Sequence, residues 1–310
     1  MKNTKNLIID LGTNTAIFSV IELLENELII TYEKSITTRI GKNLSKTGII
    51  SNNSLLDNIH LLSSELKNIH KKHKIGKTYA MATEWVRKAK NGPECLEIIN
   101  KELLIPFELI DGQEEALYTI EAVKHIAEQN NFDDFAVCDI GGGSTEFCNS
   151  SLLEVKSLPL GVVLLEEEFK LTGNTENIEA ALIKIKNILK ALEISPKVLF
   201  ASGGTATTIA TMIKKGKDYD PVPIESFELT ENTLDTLLKK LWGTSLEDIK
   251  KILVSDPKRS DLITAGTLLL KTIMQRLAPS KTLVTTFGPR HGYLMKKLGI
   301  KKIKNIKYRL

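Results

Sequence analysis

The chain has 310 residues, 42% of them hydrophobic and 26% charged, with a net charge of +4. That length predicts two domains of about 150 residues; the composition excludes a disordered chain, and the small charge excludes a global basic field for DNA or RNA. The longest apolar runs, such as Leu7–Ile9 and Leu268–Leu270, fall far below the roughly 18 residues of a membrane span. The lead Met1–Asn6 is expected to run straight into a strand, so no signal peptide is expected. Three cysteines, Cys95, Cys138 and Cys148, lack zinc-like spacing, so the expectation is a reduced, cytoplasmic protein.

In chain order, extended segments are predicted at 6–11, 14–23, 27–34 and 35–40, followed by a helix over 54–74 with Leu55, Ile59, Leu62, Leu66 and Ile69 on one stripe. A strand at 78–82, helices through 85–89 and 93–102, and a strand at 107–110 complete a mixed sheet with helices on its faces. A helix from Gln113 to about Glu128 leads into strands at 134–140, 144–149 and 152–158, which repeat the opening trio. Helices at 174–193 and 204–214 flank a strand at 197–201. Thr244–Glu247 carries a capping-box signature for a helix to Leu253. A long apolar helix over 260–277, a strand at 282–287 and a helix from His291 follow. The predicted domains are 1–122 and 123–293, with a C-terminal helix over 294–310 packing back on the first. Ile300, Ile303 and Ile306 recur at near-helical spacing in that basic tail, which is either a solvated face or a surface for a polyanion.

The strongest signal is a duplication. Leu7-Ile8-Ile9 leads into Asp10-Leu11-Gly12-Thr13-Asn14-Thr15, and Phe135-Ala136-Val137 leads into Cys138 and Asp139-Ile140-Gly141-Gly142-Gly143-Ser144-Thr145-Glu146. A carboxylate at the lip of a strand, beside a turn rich in backbone N–H groups, suits a metal-bound phosphate. The first turn alone is also explained by ordinary turn preferences. The second is more specific, because three glycines exceed what a hairpin needs and its two carboxylates call for a cation. Two such turns predict half-sites facing each other across a cleft. Glu114 and Glu115 open the joining helix, where the helix dipole alone favours acids, but a carboxylate there could also take a proton from water. Arg87 sits either on a surface helix or at a phosphate site. Ser202-Gly203-Gly204-Thr205 is either a tight strand-to-helix turn or an anion site. Pro257–Asp261 and Gly288–Gly292 place Arg259 and Arg290 at helix entrances, and His291 reads first as a packing residue.

Taken together, these segments resemble the exopolyphosphatase / guanosine pentaphosphate phosphohydrolase family, within the superfamily of sugar kinases, 70-kDa heat-shock proteins and actin. The resemblance runs from Ile9 to about Leu294: Asp10–Thr15, Thr83–Asn91 with Trp85 in place of the usual Ala, Gly112–Ala116, Asp139–Glu146, Leu158–Val162 as a strand, and Arg259–Asp261 with Ala265-Gly266. Gly288-Pro289-Arg290-His291-Gly292 departs from the usual Gly-Leu-Arg-Glu-Gly, leaving the role of His291 open. The resemblance implies an α/β protein of two ribonuclease-H-like (actin-like ATPase) domains, each a mixed five-stranded sheet flanked by helices, with a cleft between them. It implies Glu115 as general base, Arg87 balancing charge on the terminal phosphoryl group, and Mg²⁺ (or Mn²⁺) held by Asp139, Glu146 and Asp10. Phosphates would lie on Gly12, Thr13, Asn14, Thr15, Gly141, Gly142, Gly143, Ser144 and Thr145, with Gly203, Gly204 and Arg259 as further candidates.

The expected activity is release of terminal orthophosphate from inorganic polyphosphate, guanosine pentaphosphate or both. An ATP-dependent small-molecule kinase and a non-catalytic polyphosphate or alarmone binder are the alternatives. The chain resembles the short, two-domain family members, which weakens an expectation of high processivity, and a homodimer is expected only on base rates.

Overall fold

A computed structural model describes residues 5–151, 153–217 and 219–310. The lead Met1–Thr4 lies outside the described residues, as does Leu152, where the third strand of the second trio was expected to begin. The first elements are β1 (Lys5–Leu11), β2 (Thr15–Leu24), β3 (Glu27–Thr37), α1 (Leu44–Thr47), α2 (Asn52–Lys72), β4 (Ile75–Ala82), α3 (Glu84–Lys88), α4 (Gly92–Leu103) and β5 (Phe107–Leu109). Next come α5 (Gly112–Gln129), β6 (Phe135–Ile140), β7 (Thr145–Asn149), β8 (Val155–Leu158), α6 (Val162–Phe169), α7 (Ile178–Leu189), β9 (Val198–Ser202) and α8 (Gly203–Ile213). The chain closes with β10 (Glu228–Leu229), α9 (Glu231–Leu241), α10 (Leu246–Ile252), α11 (Ile263–Leu277), β11 (Lys281–Val284), α12 (Pro289–Lys297) and β12 (Asn305–Tyr308).

Two compact units result, one of residues 1–111 with 290–310 and one of 112–289. The division falls before α5, where the sequence reading put it inside that helix. Each unit holds a six-stranded mixed sheet, in the orders β12-β3-β2-β1-β4-β5 and β10-β11-β9-β6-β7-β8. Five strands of each follow one plan: an antiparallel trio, then two strands running parallel to the first. The sixth strands correct the expectation of five, and they sit on opposite edges. β10 has two residues, too short for any periodicity to reveal. β12 overturns the predicted helix over 294–310. α12 ends at Lys297, and Asn305–Tyr308 pairs in parallel with Glu27–Ile30. There Ile306 is buried and Lys307 exposed, the two-residue alternation of a strand.

In the first unit all five residues of the predicted α2 stripe are buried, and Ser51 caps the helix by accepting from the Ser54 amide at 3.2 Å. The segments expected at 27–34 and 35–40 merge into the single strand β3, which ends at Thr37 and shifts register at Thr31, opposite Val20/Ile21. Leu7, Ile9, Leu11, Phe18 and Val20 pack under α2 and α4, so alternation turns Ile8, Asp10 and Ser19 to the other face. On that face Arg290 of α12 pairs with Glu33 at 2.8 Å, and Ser19 donates to the same carboxylate oxygen at 2.8 Å. Arg290 therefore anchors the returning chain.

In the second unit Ala136, Cys138 and Ile140 join α7, α8, α9 and α11 in one core. The shared alternation puts Val137 and Asp139 on the opposite face. Several helix boundaries moved for local reasons. α7 starts four residues late because Asn174 Oδ1 takes the Glu176 amide at 2.8 Å in a turn. α10 is capped by Ser245 rather than Thr244, with Ser245 Oγ accepting from the Asp248 amide at 3.2 Å. β11 stops early because Glu225 accepts from the Thr286 amide and hydroxyl, each at 2.6 Å. Leu158–Val162, expected as a strand, is a strand end, a turn and the start of α6. The sequence reading also passed over α9, whose Thr230 cap and buried Leu234, Leu237, Leu238 and Leu241 carry a clear helical signature.

Candidate active site

Both glycine turns close with the same hydrogen bond. The Gly12 amide donates to Thr15 O and the Gly141 amide to Ser144 O, each at 2.9 Å. The amides of these two phosphate-site candidates are spent on the turn itself. The remaining peptides are oriented by their carbonyls. Gly141 O and Gly142 O accept from the Val162 and Val163 amides at 3.1 and 2.8 Å. A trans peptide points its N–H opposite its C=O, so the Gly142 and Gly143 amides are turned away from α6. In the first turn, Thr13 O accepts from Gly41 at 2.9 Å and Asn14 O from Thr38 and Arg39 at 2.9 and 3.0 Å. The Asn14 amide is turned away from Gly41 by the same rule. Trp85, fully buried, donates its indole N–H to Leu11 O at 2.9 Å and so ties α3 to this turn.

The copies differ in their acids. Asp139 lies opposite Glu146 across β6 and β7, whereas Asp10 lies opposite Ile17 across β1 and β2. Residues directly opposite in a sheet share a face with Cβ atoms about 5 Å apart, so the second turn carries a carboxylate pair and the first does not. Glu146 is 3% exposed, and its Oε1 accepts from Ser157 Oγ at 2.7 Å. Among the described residues no three His, Cys, Asp or Glu side chains are grouped to hold a metal. Mg²⁺ suits one or two carboxylates completed by phosphate oxygens and water, and the Asp139–Glu146 pair fits that donor set.

Asp139 also has Ser202 as its register partner in β9, which places the start of α8 beside it. Gly203 takes φ +89°, and a Cβ there would come within 2.5 Å of Asp139 Oδ1. A Cβ on Gly204 would overlap the guanidinium of Arg259. Arg259 is held by Asp256 at 2.9 Å and so lies over a helix N-terminus that is already positive. Two positive features stacked together suit an anion. The first turn of α5 holds Glu115, 8% exposed, and α5 packs on β6, β7 and β8. Thus the second unit brings together Asp139, Glu146, Gly141–Thr145, Gly203, Gly204 and Arg259, with α5 packed on the same three strands. Asp10, Gly12–Thr15 and Arg87 belong to the first unit, where Arg87 donates to Ile110 O. His291 is fully buried, and the three cysteines are buried, their thiols pushed up by desolvation. That state disfavours a thiolate nucleophile.

Sequence reasoning missed a link from α6 to the segment that follows Arg259. Glu166 at the end of α6 accepts from the Leu171 and Thr172 amides at 3.1 and 3.2 Å, and Thr172 Oγ1 donates to Asp261 O at 3.0 Å. Burial, with a smaller push from Asp261, raises the Glu166 carboxyl to about 7, against the lowering effect of those amides. Because its folded value lies above 4.5, folding takes up a proton between about pH 4.5 and 7. Its stabilising contribution is full at low pH and lost as pH rises through 7. Glu166→Gln is expected to gain about 2 kcal/mol relative to the parent between pH 5 and pH 8. Urea melts at both pH values check this; a constant difference would refute it.

Two such sheets, each with a glycine-turn strand pair, define an actin-like two-domain α/β protein. The model of the Ppx/GppA phosphatase family matches residues 19–300, and the chain belongs to that family. It is 30% identical over 284 residues to a bifunctional 3-dehydroquinate synthase/phosphatase of Fusobacterium nucleatum subsp. nucleatum, covering 86% of this chain and 42% of that protein. It is 27% identical over 224 residues to a guanosine-5'-triphosphate,3'-diphosphate pyrophosphatase of Vibrio parahaemolyticus, covering 68% of this chain and 44% of that protein. The chain thus spans less than half the length of these relatives. The crystal structure of the Aquifex aeolicus Ppx/GppA family member matches 95% of this chain and 97% of its own, with TM-score 0.78 and 26% identity. Among the described residues no helix is long and apolar enough to cross a membrane.

Proposed function

We propose that this chain is a Mg²⁺-dependent (or Mn²⁺-dependent) cytoplasmic phosphohydrolase that releases terminal orthophosphate from inorganic polyphosphate or guanosine pentaphosphate. The observation that carries the reading is the Asp139–Glu146 pair, set opposite each other beside a turn whose Gly142 and Gly143 amides are turned away from α6. In-line phosphoryl transfer asks for positioning and charge neutralisation more than covalent chemistry. The carboxylate pair would hold the metal, which neutralises charge on the phosphate oxygens. The amides of Gly142 and Gly143, with Ser144, would hold the phosphate chain. Arg259, over the start of α8, would add charge to a more distant phosphate. Glu115 would take the proton of the attacking water. Asp10 supporting the metal and Arg87 balancing charge on the terminal phosphoryl group complete the assignment.

Family membership and the two named relatives support a phosphohydrolase over a kinase, and the buried Glu115 supports turnover over mere binding. The test is phosphate release with Mg²⁺ from polyphosphate and from guanosine pentaphosphate, mixed at equal terminal-phosphate concentration. Release from either one supports the reading, and the ratio ranks the substrates. ATP consumption only with an added small acceptor would replace it with a kinase, and tight binding without turnover with a binder.

A further inference from the structure

We infer that Ser157 is a positioning residue that sets the orientation of the Glu146 carboxylate toward the metal; this rests on the reading of Asp139 and Glu146 as the metal-holding pair. Asp139, Glu146 and Ser157 are successive register partners across β6, β7 and β8, so the three side chains stand in one row on one face. Glu146 is 3% exposed, while Ser157 stands exposed at the rim of the row. The hydroxyl donates to Glu146 Oε1 at 2.7 Å. A carboxylate oxygen fixed in this way holds the Glu146 side chain in one rotamer. Outer partners of metal ligands act by holding the ligand in its coordinating rotamer.

The opening of α5 confines Ser157. A Cβ on Gly112 would overlap Ser157 Cβ and Oγ and stand 3.6 Å from Glu146 Oε1. Only a residue without a side chain lets α5 begin this close to the Ser157–Glu146 hydrogen bond. The helix that carries Glu115 therefore starts against the residue that aims Glu146. Gly112 and Ser157 together fix the general-base candidate and one metal-ligand candidate in a common frame.

The test uses the full chain and Mn²⁺ alone, read by the loss of the free Mn²⁺ EPR signal, beside Mg²⁺ titrations of phosphate release. Ser157→Ala is expected to raise the Mn²⁺ dissociation constant about tenfold and to shift the Mg²⁺ dependence by a similar factor, so that lost turnover returns as Mg²⁺ is raised. Ser157→Thr, which keeps the hydroxyl and suits a strand, should recover most of the affinity. Glu146→Gln is the reference for loss of a ligand. If Glu146→Gln loses Mn²⁺ but Ser157→Ala binds it like the parent, the positioning role is overturned and the metal pair stands. If both variants bind Mn²⁺ like the parent, the metal reading falls with it.

Discussion

Glu115→Gln is expected to lower kcat for orthophosphate release by about 10²–10⁴, the usual contribution of a positioned general base. The substitution keeps the volume of the side chain but removes its negative charge and exchanges one acceptor oxygen for an N–H donor, so the group can no longer take a proton from water. Glu115 lies in the first turn of α5 and is 8% exposed, so the variant adds no bulk to a packed position. The helix itself is held elsewhere, for example by Thr119 Oγ1 donating to Glu115 O at 2.8 Å, a backbone bond that the substitution leaves alone. Its melting midpoint should therefore stay within about 4 °C of the parent, and Mn²⁺ binding should be retained. Its neighbour supplies the control: Glu114 accepts from Tyr118 OH at 3.3 Å, so Glu114→Gln should leave turnover within about twofold. Equal turnover of Glu115→Gln and parent would remove Glu115 from the chemistry.

The sequence made the site legible where chemistry imposes composition. Three glycines between two carboxylates are unusual enough to read unaided, whereas the Glu pair at a helix start and the glycine pair opening α8 also fit ordinary helix and turn preferences. What stayed hidden depends on register and on tertiary partners. That Asp139 faces Glu146 while Asp10 faces Ile17 is a pairing fact that no local pattern prints. Nor could composition show that the Gly12 and Gly141 amides close their own turns, because that follows from backbone geometry. The tail shows the same limit in the fold. Ile300, Ile303 and Ile306 fit a helical period, yet pairing with β3 made a strand of Asn305–Tyr308, since an unpaired sheet edge offers hydrogen bonds that a short helix would have to do without. β10, with two residues, lies below the length at which alternation has meaning.

Gly161→Ala should be the most damaging single methyl in the second unit, at about 3 kcal/mol or more of stability. The cause is space rather than conformation, because Gly161 has φ −117° and ψ 150°, ordinary extended values. A Cβ there would overlap Gly142 O, Gly142 C and Gly143 C, all backbone atoms of the glycine turn. Backbone cannot rotate aside as a side-chain end does, so either α6 retreats or the turn moves. Either response breaks the Val162 and Val163 amide bonds to Gly141 O and Gly142 O, and those bonds are what turn the Gly142 and Gly143 amides away from α6. Stability and phosphate binding should therefore fall together, with kcat/KM on tripolyphosphate down by about 10² or more once two aligned donors are lost. Gly243→Ala separates this effect from a general glycine cost. Gly243 has φ +70° but nothing within 4 Å of its Cβ position, so it should lose about 1 kcal/mol with unchanged kinetics. Urea melts and phosphate release on the two variants decide the matter: a Gly161→Ala protein that melts and turns over like Gly243→Ala would show that the α6 start does not hold the turn in its active form.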